Sequence, residues 1–170
     1  MKKKILALGC MAALLAFGSE AQAAPSSVTA TASATIVTAL SITNTGGTNL
    51  AFGTIAPGAS AGLVTVSAAG VRTADGNVQL ITSTASAAPF SITGSGSLAC
   101  SVTIPASVSI TNGTVLNDML VDLSSDLSNA ALVSLVGGVK TFNVGGTLHV
   151  GANQAAGSYS KTFDVSVVYN

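Results

Sequence analysis

Charge is what this sequence has least of. Its 170 residues carry Lys+Arg 6, Asp+Glu 6 and His 1, so charged side chains make up 7%, against about 25% in an average soluble domain. Tryptophan is absent, aromatics reach only 4%, and there are 2 cysteines. Each shortage excludes something. Nucleic-acid binding needs a basic stripe that displaces counterions, and the chain has none. Catalysis needs a cluster of titratable groups, and the pool is nearly empty, so no enzyme is expected. A hydrophobic content of 48% with so little charge excludes intrinsic disorder. One compact domain remains, long enough to bury its own core, with neither cofactor nor metal expected.

The N-terminus reads as an export signal. Lys2, Lys3 and Lys4 precede the apolar run Ile5 to Phe17, and Ala21-Gln22-Ala23 supplies a small-x-small cleavage pattern. Residues 1–23 are therefore expected to be a signal peptide, too short in its apolar part to span a membrane. Gly9-Cys10 suggests a lipoprotein site, but Ala7 stands where leucine is usual. The mature chain keeps Arg72, Lys140 and Lys161 against Asp75, Asp118, Asp122, Asp126 and Asp164. Three cations against five acids leave −2. Cys100 then stands alone, so no intramolecular disulfide can form, and packing and backbone pairing must supply stability.

The period along the mature chain is two, as in half-buried strands. Leu63, Val64 and Val66 are closed by Ala69-Gly70, and Val78, Leu80 and Ile81 follow Asp75-Gly76-Asn77. Phe90 and Ile92, Val102 and Ile104, and Val108 and Ile110 come next, the last running into the hairpin dipeptide Asn112-Gly113. Phe142 and Val144 lead to an expected turn at Gly145-Gly146, after which Leu148 and Val150 continue. A helix over 117–131 would stack Asp118, Asp122 and Asp126 at i, i+4. A strand puts Met119, Val121 and Leu123 inward instead. Short strands with Gly-rich turns imply an all-β sandwich or barrel.

The two ends carry the functional signal. In residues 28–36 Val28, Ala30, Ala32, Ala34 and Ile36 alternate with small hydroxyls. The segment has no tight turn to a partner strand. Residues 24–42 extended would reach roughly 60 Å, enough to lie along another subunit. Periodicity alone favours an ordinary first strand paired within its own sheet, and the C-terminus shifts that balance. At the other end Gly157 is the fourteenth residue from the C-terminus, and Tyr159, Phe163, Val165, Val167 and Tyr169 alternate with polar residues.

This C-terminal pattern resembles the signature of chaperone–usher pilins. Other pieces are Leu50-Ala51-Phe52-Gly53-Thr54-Ile55, Val64-Thr65-Val66 and Gly70-Val71-Arg72. With Val144-Gly145-Gly146-Thr147-Leu148 and Ala152-Asn153-Gln154 they resemble, in that order, the bacterial domain-of-unknown-function 4402 family. The resemblance implies an immunoglobulin-like, pilin-like sandwich over 44–170, preceded by a donor-type strand within 24–43. Its implied partners are copies of itself or related subunits, a periplasmic chaperone and an outer-membrane usher. The C-terminal strand would border a groove filled first by the chaperone and later by a neighbour's N-terminal strand. The chain departs from many pilins in lacking an internal disulfide and in carrying alanines mid-donor.

Other motifs lack their context. Gly58-Ala59-Ser60-Ala61-Gly62 matches a nucleophile elbow, which needs a following helix and a base. Leu63 to Val66 reads as a strand, and His149 lies on a separate strand. Ser158 and Lys161 would need a helical turn to meet. Gly94-Ser95-Gly96 has no helix after it to supply a dipole. Asp122, Ser124 and Asp126 lack the glycine and bidentate acid of a calcium loop. Arg72 is expected to cover a sheet edge and to pair with Asp75. The sequence thus points to an exported structural subunit of a fimbria-like surface fibre, in transit through the periplasm. The alternative is a monomeric extracytoplasmic binding module such as an adhesin, which the lack of Trp disfavours.

Overall fold

Alternation in the sequence becomes strand pairing over most of the chain. The computed structural model describes residues 26–96, 98–127 and 132–170; the leader expected over 1–23 lies outside them. One unit ends at Thr35 and a second runs from Ile36 to Asn170. In the first, residues 26–35 are exposed and form neither helix nor strand pairing. The second holds β1 Ser41–Asn44, β2 Ile55–Ala56, β3 Gly62–Val66, β4 Arg72–Gly76, β5 Gln79–Leu80 and β6 Ala88–Thr93. It continues with β7 Ala99–Thr103, β8 Ser107–Ile110, β9 Met119–Ser125, β10 Val133–Ser134, β11 Val139–Val150 and β12 Ser166–Tyr169. Among the described residues there is no α-helix, and every strand pairing is antiparallel. Residues 41–43, read from sequence as the end of the extension, belong to β1, which pairs with β6.

β11 organises the large sheet. Along one edge its first half pairs with β6 and its second half with β3, while β9 takes the opposite edge. The turn expected at Gly145-Gly146 does not form, and the strand runs through both glycines. A Cβ on Gly145 would lie 2.3 Å from the Val66 carbonyl oxygen. Glycine here admits the β3 backbone at the point where one edge of β11 changes partners.

Two apolar clusters fill the sandwich. Ile92, Cys100, Val102, Leu135, Phe142 and Val144 lie where β6 and β11 face the three-stranded sheet β10-β7-β12. Phe142 stacks on Phe90 with ring centroids 5.4 Å apart. Val64, Met119, Val121, Leu148 and Val150 form the second cluster, closed by Ile55 and Leu80 from the β2-β5 pair. Residues 119–123 settle as a strand, with Met119 and Val121 buried and Asp122 exposed. The strand wins because it places the acids in water, whereas a helix would stack them.

Candidate strand-acceptor edge

β12, although β1 lies close to it, is paired on one side only among the described residues. It pairs with β7 from Ser166↔Thr103 to Tyr169↔Cys100 and is the last strand of its sheet. Phe163, Val165, Val167 and Tyr169 are half-buried, packed against the first core cluster, while Asp164, Ser166 and Val168 are exposed. Such an edge presents unpaired backbone N–H and C=O groups beside apolar surface that is incompletely covered. The half-buried Leu40 and Ile42, at the start of β1, pack against the same cluster.

The C-terminal strand is shorter than the alternation suggests. Residues 161–165 take part in no pairing, although Ser160 bridges Thr111. The register would bring Asp164 opposite Pro105, which lies just past the end of β7 and has no amide hydrogen to offer. An open cleft lined by Thr103, Pro105, Val108, Thr162 and Phe163 lies there. The signature residues therefore fall into two groups. Tyr159 packs against the second core cluster, and Phe163 to Tyr169 pack against the first. Gly157 is exposed and lies against the Asn112 side chain.

Each tyrosine hydroxyl has several partners. Tyr159 Oη donates to the Ala155 carbonyl at 2.7 Å and accepts from Gln154 Nε2 at 3.1 Å and Asn112 Nδ2 at 3.2 Å. Gln154 also donates to the Asn117 carbonyl, so this cluster ties the segment after β11 to the β8–β9 connection. Tyr159→Phe is expected to cost about 1–2 kcal/mol by leaving these groups short of a partner, read as a lower urea midpoint with unchanged slope. Tyr169 Oη donates to the Thr38 carbonyl and accepts from the Ser95 N–H.

The donor-type residues are exposed. Val28 and Ile36 have 95% and 94% of their surface accessible, and Ala30, Ala32 and Ala34 are likewise open to solvent. None of the five takes part in strand pairing. Large aliphatic side chains held in water at regular spacing lose the burial free energy that an apolar contact would supply.

Cys100 lies beneath the edge, at the middle of its sheet, fully buried and opposite Tyr169. Burial pushes its thiol pKa up. The unfolded thiol ionises near pH 8.5, so the folded state resists losing that proton. This stabilisation of the native state is complete below the unfolded value. It is lost as pH rises from there through the higher folded value. In the folded protein an aromatic disulfide reagent at pH 8 is expected to leave Cys100 unmodified, with prompt reaction after unfolding. Prompt labelling of the native chain would show that the edge opens readily.

A family described as a domain of unknown function, DUF4402, matches residues 40–169. The chain belongs to the DUF4402 family. No curated protein and no solved structure matches it. Several residues through which the sequence resembles that family prove to be joints of the fold. Arg72 does not pair with Asp75, whose Oδ1 instead accepts from the Gly76 N–H at 2.7 Å. Its guanidinium donates through Nη1 to the Phe52 carbonyl at 2.9 Å and Ser83 Oγ at 3.2 Å, and through Nη2 to the Ile81 carbonyl at 2.9 Å. Backbone carbonyls win because they lie in a fixed array around the planar fork, whereas Asp75 sits further along β4, where its side chain closes the Gly76 turn. The DUF4402 pieces 50–55 and 70–72 thus meet at one side chain. At Asn153 the backbone is left-handed, φ 50°, a conformation asparagine tolerates.

The remaining motifs take the following places in the fold. Gly62 begins β3, so no helix follows the Gly58–Gly62 pattern. His149 Nε2 lies 2.7 Å from Asp122 Oδ2, within hydrogen-bond distance, with both side chains about half exposed. Removing either partner is expected to change stability by less than about 1 kcal/mol, measurable by chemical denaturation. Among the described residues no group of three or more potential metal ligands assembles.

Proposed function

We propose that this DUF4402 chain is an exported structural subunit of a pilus- or fimbria-like surface fibre, assembled by β-strand donation. The finer fold reading goes with it: an incomplete, pilin-like immunoglobulin sandwich whose missing strand comes from another subunit. The observation that carries the proposal is the half-buried row Phe163, Val165, Val167 and Tyr169, which ends in a strand paired on one side only among the described residues. It is matched by an exposed, alternating N-terminal segment of the complementary kind. An added strand satisfies the edge backbone and covers its apolar face together. Val28 and Ile36 would each contribute about 1.5–3 kcal/mol when buried, and each alanine about 1 kcal/mol.

Donation from the N-terminus of one copy to the C-terminal strand of the next is head-to-tail. Such contacts propagate into filaments when they do not close into a ring. The partners would be further copies or related subunits, with a periplasmic chaperone covering the edge in transit and an outer-membrane usher releasing the fibre. The sparse charge and Ser/Thr-rich exposed faces suit an extracellular polymer. Protein recovered from the native cell surface is expected to run as a ladder on a denaturing gel and to collapse to monomer on boiling. A single monomer band in both lanes would overturn the proposal and favour a monomeric binding module.

A further inference from the structure

Tyr169 belongs to the open edge strand, yet its hydroxyl engages backbone groups remote in sequence. It donates to the Thr38 carbonyl at 2.7 Å and accepts from the Ser95 N–H at 2.6 Å. Thr38 stands between the exposed alternating segment and β1. Gly94 makes the approach possible, since a Cβ there would lie 2.4 Å from the hydroxyl oxygen and 2.9 Å from Leu40 Cδ1. The loop that supplies Ser95 is itself held, because the Gly94 N–H donates to the Gly138 carbonyl at 2.9 Å. One phenol therefore joins the acceptor strand, the root of the donor segment and a fixed loop.

We infer that Tyr169 is a positioning residue for strand donation: its hydroxyl pins the root of a subunit's own donor to the strand that receives a neighbour's. The inference rests on the proposed assembly and names a control within it. A segment pinned at Thr38 has less conformational freedom to lose on docking than one free to its entry into β1. An incoming strand firms β12, and Tyr169 transmits that order to Thr38. A subunit that has accepted a strand is thereby prepared to donate its own, a coupling through reduced disorder.

Tyr169→Phe keeps the ring and removes the hydroxyl. Full mature chains carrying Ala32→Asp serve as acceptors that do not donate. Mixed with labelled Tyr169→Phe chains, they are expected to form cross-species dimers about tenfold more slowly than with labelled wild type, the order of effect of losing two hydrogen bonds. In the reciprocal mixture, wild type donates to chains carrying both substitutions, and the slowing is expected to be smaller. Equal slowing in the two mixtures would mark a merely structural hydroxyl and overturn the inference, as would donation at the wild-type rate. Amide exchange at Ser95, followed by NMR, is expected to quicken about tenfold in Tyr169→Phe; unchanged exchange also overturns it. Wild-type chains that never donate contradict the assembly itself, and the anchor is then decided by Ser95 exchange alone.

Discussion

Ala32→Asp is expected to abolish assembly while leaving the domain folded. Ala32 is exposed and unpaired, so its replacement removes no contact within the sandwich. In a donated strand the same side chain would face the apolar row of Val165 and Val167. Arg72 is occupied by backbone carbonyls, so it offers the new carboxylate no partner. An unpaired charge in such a place costs several kcal/mol, and every 1.4 kcal/mol is tenfold in affinity. A loss of a thousandfold or more follows, seen as disappearance of the boiling-sensitive ladder. Ser33→Asp supplies the control. It lies on the opposite face of the alternation, where a charge stays in water, and the ladder is expected to persist. Equal effects from the two substitutions would mean that the segment does not dock as a strand.

Arg72→Ala is expected to carry the largest stability cost of any surface-proximal substitution in the domain. The guanidinium satisfies the Phe52 and Ile81 carbonyls and Ser83 Oγ together. It thereby fastens the strand β4 to two segments that also pair with each other, through the Ala51–Ser86 bridge and the Ile81 N–H to the Thr54 carbonyl. Hydrogen bonds from a charged donor are worth about 1.5–3 kcal/mol each, with part of the loss recovered by water. A net cost of about 3 kcal/mol follows, or about 10 °C in Tm for a domain of this size. Arg72→Lys is not expected to rescue it, because an ammonium is a point donor and cannot reach carbonyls on two sides of a planar fork. Gly53 belongs to the same joint: a Cβ there would lie 2.5 Å from Arg72 Nη1, and its φ is 71°. Gly53→Ala is therefore expected to lower Tm as well.

Most of the fold was legible in the sequence because period two is a local signal. Met119, Val121 and Leu123 turn inward and Asp122 outward as the alternation requires, and the row Phe163, Val165, Val167, Tyr169 keeps its inward phase even where pairing stops. Pairing itself is not local. Residues 161–165 alternate like a strand, yet pairing with β7 ends where Pro105 would stand opposite. Gly145-Gly146 has turn chemistry, but the approach of Val66 from another strand decides its role. The partners of Tyr169, and most of those of Arg72, are backbone carbonyls and amides, which nearly every residue possesses, so no side-chain pattern announces them. Thr38 and Ser95 lie 131 and 74 positions from Tyr169. Gly94, met in the sequence only as part of a glycine pattern with no helix after it, is the one local sign of that close approach.

The most direct measurement is amide exchange across the mature protein with and without a synthetic peptide spanning residues 26–38. A peptide that docks as the missing strand is expected to slow exchange at the free-edge amides between Phe163 and Tyr169, and to leave β4 at the far end of the large sheet unchanged. The same peptide carrying Ala32→Asp is expected to leave both unchanged. Unaltered exchange along 163–169 at saturating peptide, or slowing confined to another strand, would contradict an acceptor edge at β12.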